Sequence, residues 1–369
     1  MNDLLIRNCK IFDGEAFLPG RDVRVEGGLI ASVTSTVEAG DRGDTKENAA
    51  TVDGSGMTLT PGIIDCHVHM TVRDAGSLNA MMEPFSLQFF RATDHLRKTL
   101  RAGVTTVRDA GGSDAGVKEA LNEGIIDGPR LKAAVSIMSQ TGGHGDGRLP
   151  SGAESPMLAG HPGRPIGVAD GVEGVTRKAR EIFQAGADHI KICSTGGVLS
   201  PGDDPKNSQF TEDEICAIVA EAEAHGSYVM SHAQGSNGIR TALRAGVRSI
   251  EHGIYLDEET IELFLETGAY LVPTLQAPIS VIRAAESGSN LPPAVVDKAR
   301  NVVDVHFDSI SRAHRAGVRI AMGTDAGVGP HGENLEELEL LEQVGLSTSD
   351  ALECATSAGS ELLGIEGLG

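Results

Sequence analysis

The chain has 369 residues, 40% of them apolar and 3% aromatic, and it carries a formal charge of −21 at pH 7. This composition excludes a disordered chain, and the length fits one large folded domain with a smaller one beside it. The acidic chain contains no lysine- or arginine-rich run and would repel phosphate groups, so we expect no nucleic-acid partner. No apolar run approaches the roughly 20 residues that cross a bilayer, so we expect no membrane partner either.

The five cysteines are scattered and form no CxxC pair. An odd number without paired spacing predicts reduced thiols rather than a disulfide framework. The N-terminal residues lack the basic segment and the following apolar segment of a secretory signal. We therefore predict a cytoplasmic protein.

Short apolar or alternating segments occur at 4–12, 23–33 and 50–60 and are interrupted by glycine and aspartate. This pattern predicts β-strands, and we assign residues 1–60 to a small, β-sandwich-like domain. From residue 61 onward, apolar segments alternate with helical ones such as Glu173–Gln184 and Glu212–His225, which predicts a second domain at 61–369. The predicted strands lie at Ile63–His67, Val104–Arg108, Leu131–Ile137, His189–Cys193, Tyr228–His232, Ser249–His252, Tyr270–Thr274 and Arg319–Thr324. A series of eight β-then-α units predicts an α/β fold of the (β/α)₈ TIM-barrel type.

An Ala-Gly pair stands before four of these strands, with its glycine at Gly103, Gly186, Gly246 and Gly317. Each pair predicts a helix that ends in a glycine cap and turns into the next strand. Active sites of such barrels lie at the carboxyl ends of the strands, so polar residues at those ends are the candidates for chemistry.

The first candidate strand ends in His67 and His69, which lie on one side of a strand because they are two residues apart. Such a pair either holds a metal ion or packs in a core. Lys191 lies among apolar residues in the fourth strand. It either pairs with a nearby carboxylate or reacts with CO₂ to form a carbamate that bridges two cations.

His232 and His252 end the fifth and sixth candidate strands, and Asp325 ends the eighth. Singly, each histidine fits a buried structural role, and Asp325 fits a metal ligand, a general base or a helix N-cap. As a set with His67, His69 and Lys191, these residues predict a site for Zn²⁺ or a similar divalent ion.

The motifs that carry these residues resemble the amidohydrolase superfamily: PGIID followed by HVH at 61–69, HIKI at 189–192, SHAQG at 231–235, EHG at 251–253 and GTDAG at 323–327. VRDAGG at 107–112 and SQTGGH at 139–144 resemble its prolidase-like dipeptidase and imidazolonepropionase-related branch. The resemblance covers nearly the whole chain.

The resemblance implies two divalent metal ions, by default zinc. His67, His69 and Asp325 would hold one ion, and His232 and His252 the other. A carbamate on Lys191, derived from CO₂, would bridge them together with a hydroxide. Asp325 would take a proton from that hydroxide and pass it to the leaving amine.

Three residues are candidates for substrate contacts. His144 and Arg148 lie in a glycine-rich loop after the third strand, where His144 either meets a substrate carbonyl or carboxylate or sits in a plain surface loop. Arg148 either pairs a substrate carboxylate or is solvated. Gln234 shares a strand face with His232, at a position where the dipeptidases that this chain resembles often have tyrosine. Five further histidines, at 95, 161, 225, 306 and 314, are expected at the surface or in structural positions.

The leading functional hypothesis is hydrolysis of a C–N bond in a small molecule such as a dipeptide, an N-acyl amino acid or a related carboxamide. The alternative is a urea, carbamate, cyclic amide or small ester on the same binuclear site, and the third is an inactive barrel used for binding. Relatives in this superfamily are commonly homo-oligomers, so we expect one here. They also usually continue with a segment that completes the small β domain, and we expect that C-terminal part to be missing from this chain.

Overall fold

The computed structural model describes residues 3–36, 50–149, 151–200, 202–365 and 367–368. Its first five strands form one sheet in the order β3-β2-β1-β4, with β5 also on β1. They are β1 (Leu4–Phe12), β2 (Phe17–Glu26), β3 (Leu29–Ser35), β4 (Ala50–Asp53) and β5 (Thr58–Leu59). The β1–β2 and β2–β3 pairs are antiparallel, whereas β4 and β5 run parallel to β1. Cys9, Ile11 and Val23 are buried together in a small core of their own.

The remaining strands are parallel and form two sheets, in the orders β6-β7-β8 and β13-β12-β11-β10-β9. They are β6 (Ile63–Val68), β7 (Val104–Asp109), β8 (Arg130–Ala133), β9 (Ile137–Met138), β10 (Ile190–Cys193), β11 (Val229–Ala233), β12 (Ser249–His252) and β13 (Tyr270–Val272). Every residue of β6, β10, β11, β12 and β13 is buried. Burial on both faces is typical of parallel strands that are covered by helices.

The helices follow the strands along the chain. They are α1 (Leu87–Arg101), α2 (Ala115–Asn122), α3 (Gly171–Gln184), α4 (Glu212–Ala224), α5 (Ser236–Arg244), α6 (Glu258–Thr267), α7 (Gln276–Glu286), α8 (Pro293–Ala316), α9 (Glu336–Gln343), α10 (Thr348–Cys354) and α11 (Ser357–Leu363), with a 3₁₀ helix at Leu78–Met82. None of the described helices is both long and apolar enough to cross a membrane.

The Ala-Gly pairs end helices as predicted. Gly103, Gly186, Gly246 and Gly317 have φ angles of 94°, 96°, 91° and 89°. Glycine adopts this left-handed conformation without the steric cost that a Cβ atom would bring. Each pair thereby directs the chain from a helix towards the next strand.

The third strand departs from its prediction, because 131–137 is not one continuous strand. Val135 has a φ of 64°, which interrupts the extended chain between β8 and β9. A β-branched residue in this region is strained and cannot continue a regular strand. As a result β8 pairs with β7, whereas β9 pairs with β10.

The eighth predicted strand, 319–324, is also not a regular strand, and only Ile320 forms a bridge within it, to Leu271. The segment nevertheless lies between β13 and β6. Leu271 N–H donates to the Arg319 carbonyl at 2.8 Å, and Cys66 N–H donates to the Met322 carbonyl at 2.8 Å. The parallel strands and their connecting helices are consistent with a TIM-barrel-like fold.

Candidate metal centre

A cavity of about 270 Å³ lies where β6, β10, β11 and β12 end. The six candidate ligands from the sequence all line it: His67, His69, Lys191, His232, His252 and Asp325. They come from five separate segments of the chain, and the fold brings them together because parallel strands end on the same side of their sheets.

His67, His69 and Asp325 form the tightest group. Their ligand atoms all lie within 4.8 Å of one another. Oδ1 of Asp325 is 3.3 Å from Nε2 of His69 and 3.6 Å from Nε2 of His67. This oxygen is buried and has no hydrogen-bond partner among the described residues. Two imidazole nitrogens and an unpartnered carboxylate oxygen at this spacing suit a divalent cation.

His232 and His252 extend this group across the cavity. Their ring centroids are 4.6 Å apart, and the His252 ring is 5.1 Å from that of His67. Lys191 lies between the two groups, with Nζ 3.5 Å from Nε2 of His67. Its side chain is almost fully buried, and none of the described carboxylates lies within ion-pair distance of it. Burial lowers the pKa of Lys191 below its ordinary value.

Each of the four histidines has one ring nitrogen held by the protein, which leaves the other for a ligand. His67 Nδ1 lies 2.8 Å from Glu251 Oε2, His69 Nδ1 2.7 Å from the Gly111 carbonyl, His232 Nε2 3.1 Å from the Gly196 carbonyl, and His252 Nδ1 2.7 Å from Thr274 Oγ1. Metal-binding histidines in proteins are usually oriented in this way. The donor set therefore fits a metal centre in its chemistry as well as in its spacing.

Burial shapes the protonation of these rings. It lowers the pKa of His67, His232 and His252 well below the ordinary value of histidine. Burial would lower the pKa of His69 too, but the neighbouring carboxylate of Asp325 raises it instead. For Asp325, burial acts to raise the pKa, whereas His67 and His69 outweigh it and hold the pKa below its usual range. Neutral imidazoles and an ionised carboxylate are the forms that bind metal ions.

Three non-glycine residues at the cavity have left-handed backbone conformations: His252 with a φ of 74°, Thr274 with 54° and Asp325 with 57°. Such conformations cost free energy and persist only where the surrounding structure enforces them, as at many active sites. Two of these residues are candidate ligands, and the third contacts His252.

Sequence reasoning missed the buried pair that supports His67. Arg108 and Glu251 are both fully buried. Arg108 Nη2 donates to Glu251 Oε1 at 3.0 Å, while Glu251 Oε2 contacts His67. The only signals in the sequence were an arginine inside the apolar run of β7 and a glutamate beside His252, and neither indicated a partner.

Two aspartates hold the backbone around the ligands. Asp65 accepts hydrogen bonds from Thr324 N–H at 3.1 Å and from Asn334 Nδ2 at 2.7 Å, and burial raises its pKa to about 6. Asp109 accepts from the backbone N–H of Met70 and Gly111. Asp109 does not contact an imidazole; it holds the loop whose Gly111 carbonyl contacts His69.

Two of the three candidate substrate residues lie at the cavity, and the third does not. His144 and Gln234 line the cavity, and Oε1 of Gln234 is buried without a hydrogen-bond partner among the described residues. Arg148 does not line this cavity, and its guanidinium forms two hydrogen bonds with Asp146, at 2.8 and 2.7 Å. His306, expected at the surface or in a structural position, lines the cavity in a structural position, with Nε2 2.8 Å from the His252 carbonyl.

Comparison with known proteins shows which family these features belong to. Residues 58–369 match the model of the amidohydrolase family. Ochratoxinase from Aspergillus niger is 34% identical over 311 residues, which are 81% of this chain and 64% of that protein. The chain thus spans less than two thirds of the length of this curated relative.

Among solved structures, a prolidase complexed with N-methylphosphonate-L-proline is 36% identical, with a TM-score of 0.89, and the match covers 100% of this chain and 89% of that one. A Xaa-Pro dipeptidase with bound methionine in the active site is 33% identical, with a TM-score of 0.88, and the match covers 99% and 89%.

A parallel α/β fold that gathers histidines and a carboxylate at its strand ends is typical of TIM-barrel-like enzymes with a metal centre. Within that class, this chain belongs to the amidohydrolase family. The resemblance that the sequence motifs predicted is confirmed, and prolidase-like proteins are among the structural neighbours.

Proposed function

We propose that this protein is a binuclear metal-dependent hydrolase that cleaves the C–N bond of a small carboxamide, such as a dipeptide or an N-acyl amino acid. The observation that carries the proposal is the convergence of four histidines, Lys191 and Asp325 in one cavity. Family membership supports hydrolysis of C–N bonds, and the similarity to prolidase-like structures supports an amide substrate. We further propose that β6 to β13 and the segment 319–325 form the closed eight-unit barrel expected from the sequence.

His67, His69 and Asp325 would hold one cation, and His232 and His252 the other. Lys191, as a carbamate, would supply one oxygen to each. Its Nζ is buried beside His67 without a carboxylate partner, which supports this role over the structural ion pair. When bound, two divalent cations, by default zinc, supply a water of lowered pKa and polarise the scissile carbonyl.

Asp325 is the residue we assign to proton transfer. Its carboxylate is held in the ionised form, and its Oδ1 atom is unpartnered within the described part of the chain. An ionised carboxylate can accept the proton of the attacking water and return it to the leaving amine nitrogen. Gln234, whose Oε1 atom is also unpartnered, would orient the substrate by accepting a hydrogen bond from its N–H group.

A second candidate is a substrate without a carboxylate, such as a urea, a carbamate or a cyclic amide. The observation that favours it is that the arginines at or near the cavity already pair with carboxylates of the protein. Arg148 is directed to Asp146 rather than into the cavity. Arg91 and Arg73 do line the cavity, but Arg91 already makes two hydrogen bonds to Glu83, and Arg73 pairs with Glu83 and Asp74. A substrate carboxylate would have to compete with these acidic partners.

One experiment tests both candidates. We would measure metal content per chain and, on the same sample, the turnover of dipeptides and N-acyl amino acids. Each would be paired with its C-terminal carboxamide, and a set of ureas and carbamates would be included. Preference for the free carboxylates supports the first candidate, and preference for the neutral members supports the second. No metal and no turnover of any compound would overturn the enzyme proposal.

Two variants test the assigned roles. Lys191→Ala should lower the metal content and abolish turnover, and short carboxylates such as acetate should restore part of it by occupying the place of the carbamate. Asp325→Asn should also abolish turnover. Lys98→Ala and Asp94→Asn are matched controls, because these residues form an exposed pair that does not line the cavity. One ion per chain, with an active Lys191→Ala variant, would return Lys191 to a structural role.

A further inference from the structure

His144 is held on one side by a network that neither the sequence nor the proposed chemistry had assigned. Its ring stacks on that of His232, with centroids 4.1 Å apart and an interplanar angle of 18°. Nδ1 lies 2.6 Å from Ser200 Oγ and 3.6 Å from Asp203 Oδ2. The opposite nitrogen, Nε2, has no hydrogen-bond partner among the described residues, so it is the ring atom left for a substrate.

The directions of these hydrogen bonds define which nitrogen of His144 carries hydrogen. The Ser200 hydroxyl donates to Asp203 Oδ1, so the Ser200 oxygen accepts from Nδ1–H of His144. Burial acts to raise the pKa of Asp203, but the contacts of its carboxylate with His144 and Ser200 outweigh it and lower this pKa to about 2. An ionised Asp203 can only accept, which fixes the Nδ1–H tautomer.

Lys298, from α8, fastens the loop that carries Ser200 and Asp203. Its Nζ donates to the carbonyl oxygens of Gly197 at 3.1 Å, Ser200 at 2.8 Å and Asp203, and lies 3.4 Å from Asp203 Oδ1. One ammonium group thus satisfies three backbone carbonyls of a loop that lies almost 100 residues away in the sequence. The loop is thereby held against α8 rather than by its own hydrogen bonds alone.

Gly197 leaves the space that the His144 ring occupies. A Cβ atom at this position would lie 2.3 Å from Cε1 of His144, 2.6 Å from Nδ1 and 2.7 Å from Nε2. The backbone of Gly197 does not have a positive φ, and the three atoms nearest to such a Cβ all belong to the His144 ring. Gly202, in the same loop, is a matched contrast, because a Cβ atom there would meet nothing within 4 Å.

We propose that Asp203, Ser200 and Lys298 are positioning residues for His144, and that Gly197 is required because a side chain would displace that ring. The proposal deepens and rests on the proposed function, since its kinetic consequence concerns the substrate at that site. Asp203 and Lys298 do not meet the substrate. They act by presenting Nε2 of His144 to it.

The kinetic test uses the metal-loaded enzyme and its best substrate from the library. Gly197→Ala should lower kcat/KM on the order of 100-fold, because misplacement of a reacting group by about 1 Å costs this much. Gly202→Ala should leave kcat/KM unchanged, and both variants should keep the metal content. In a His144→Ala background, Gly197→Ala should have no further effect. Equal losses in both backgrounds, or a Gly197→Ala variant that behaves like Gly202→Ala, would overturn the proposal.

Asp203→Asn and Lys298→Met test the network itself. Both should lower kcat/KM less than His144→Ala does, with the same division between kcat and KM, since they misplace His144 without removing it. Asp203→Glu should recover part of the loss, because it restores a carboxylate. A division between kcat and KM unlike that of His144→Ala, or no recovery with glutamate, would contradict a positioning role.

A spectroscopic readout keeps this proposal separate from the proposed function. With ¹⁵N-labelled histidine, the imidazole ¹⁵N shifts of His144 should show the Nδ1–H tautomer in the wild type and in Gly202→Ala. They should change in Gly197→Ala and Asp203→Asn. If no compound is hydrolysed, the proposed function fails while these shifts still decide the positioning. An Nε2–H tautomer in the wild type, or shifts insensitive to Asp203→Asn, would overturn it.

Discussion

Glu251 offers a sharp test of how the protein holds its candidate ligands. Its carboxylate is fully buried and receives three contacts: His67 Nδ1 at 2.8 Å, Arg108 Nη2 at 3.0 Å and Ser249 Oγ at 2.6 Å. Glu251→Gln keeps the shape of the side chain but removes its charge. Arg108, which is itself fully buried, would then lack a countercharge.

Two magnitudes follow from this geometry. Breaking a buried ion pair by removing one partner costs about 3–5 kcal/mol of unfolding free energy. Losing the acceptor that orients a metal-binding histidine costs about 10–100-fold in metal affinity. We expect the variant to show both effects, measured by urea denaturation of the metal-free protein and by competition with a chelator.

The controls separate charge from packing. Glu259→Gln removes a carboxylate whose exposed fraction is 63% and which pairs with Arg240 and Arg244, so it should change the unfolding free energy by about 1 kcal/mol at most. Arg108→Met combined with Glu251→Gln removes both buried charges and should be more stable than Glu251→Gln alone. If Glu251→Gln is as stable and as tight for metal as the Glu259→Gln control, the pair does not support His67.

The remaining predictions concern the buried carboxyl of Glu337, the contact that orients His252, and Arg148, which does not line the cavity. Glu337 is fully buried and accepts two backbone N–H bonds, and burial raises its pKa from 4.5 to about 8. A raised carboxyl pKa means that the folded state binds the extra proton, so the wild type should lose stability relative to Glu337→Gln as pH rises from about 5 to about 8. Urea denaturation at pH 5, 6.5 and 8 checks this, and parallel curves for the two proteins would refute it. Thr274→Val should weaken metal binding about tenfold without unfolding the protein, because it removes the 2.7 Å contact that orients His252; chelator competition measures it, and unchanged affinity would mean that this contact is dispensable. Arg148→Ala should leave kcat/KM within about twofold, since its exposed guanidinium is bound to Asp146 outside the cavity; a selective loss on substrates with a free carboxylate would show that Arg148 reaches them after all.

The sequence alone predicted the family, the order of strands and helices and the set of candidate ligands. It could do so because these features are local. His67 and His69 follow the two-residue period of a strand, and His232, His252 and Asp325 each follow an apolar run. The glycines that end helices before the strands were predictable for the same reason, since a left-handed cap needs no long-range contact.

Only the tertiary structure decided which residues support those ligands. Glu251 is 184 positions from His67 and 143 from Arg108, and no local period connects them. Asp203 likewise contacts both His144 and Lys298, which lie in separate parts of the chain. Such contacts depend on how strands and loops pack. From the sequence alone, a polar side chain in an apolar run has many possible partners.

Two of the departures from prediction show how the folded chain overrides a local pattern. The third strand breaks at Val135 because its backbone is forced to a positive φ that its side chain disfavours. Arg148 was a candidate for a substrate contact because of its loop position alone. In the structure it donates hydrogen bonds to Asp146, two residues away. Local sequence determined which groups could take part in the chemistry. Packing decided which of them face the cavity, because only the folded chain sets the competing partners and the space around each side chain.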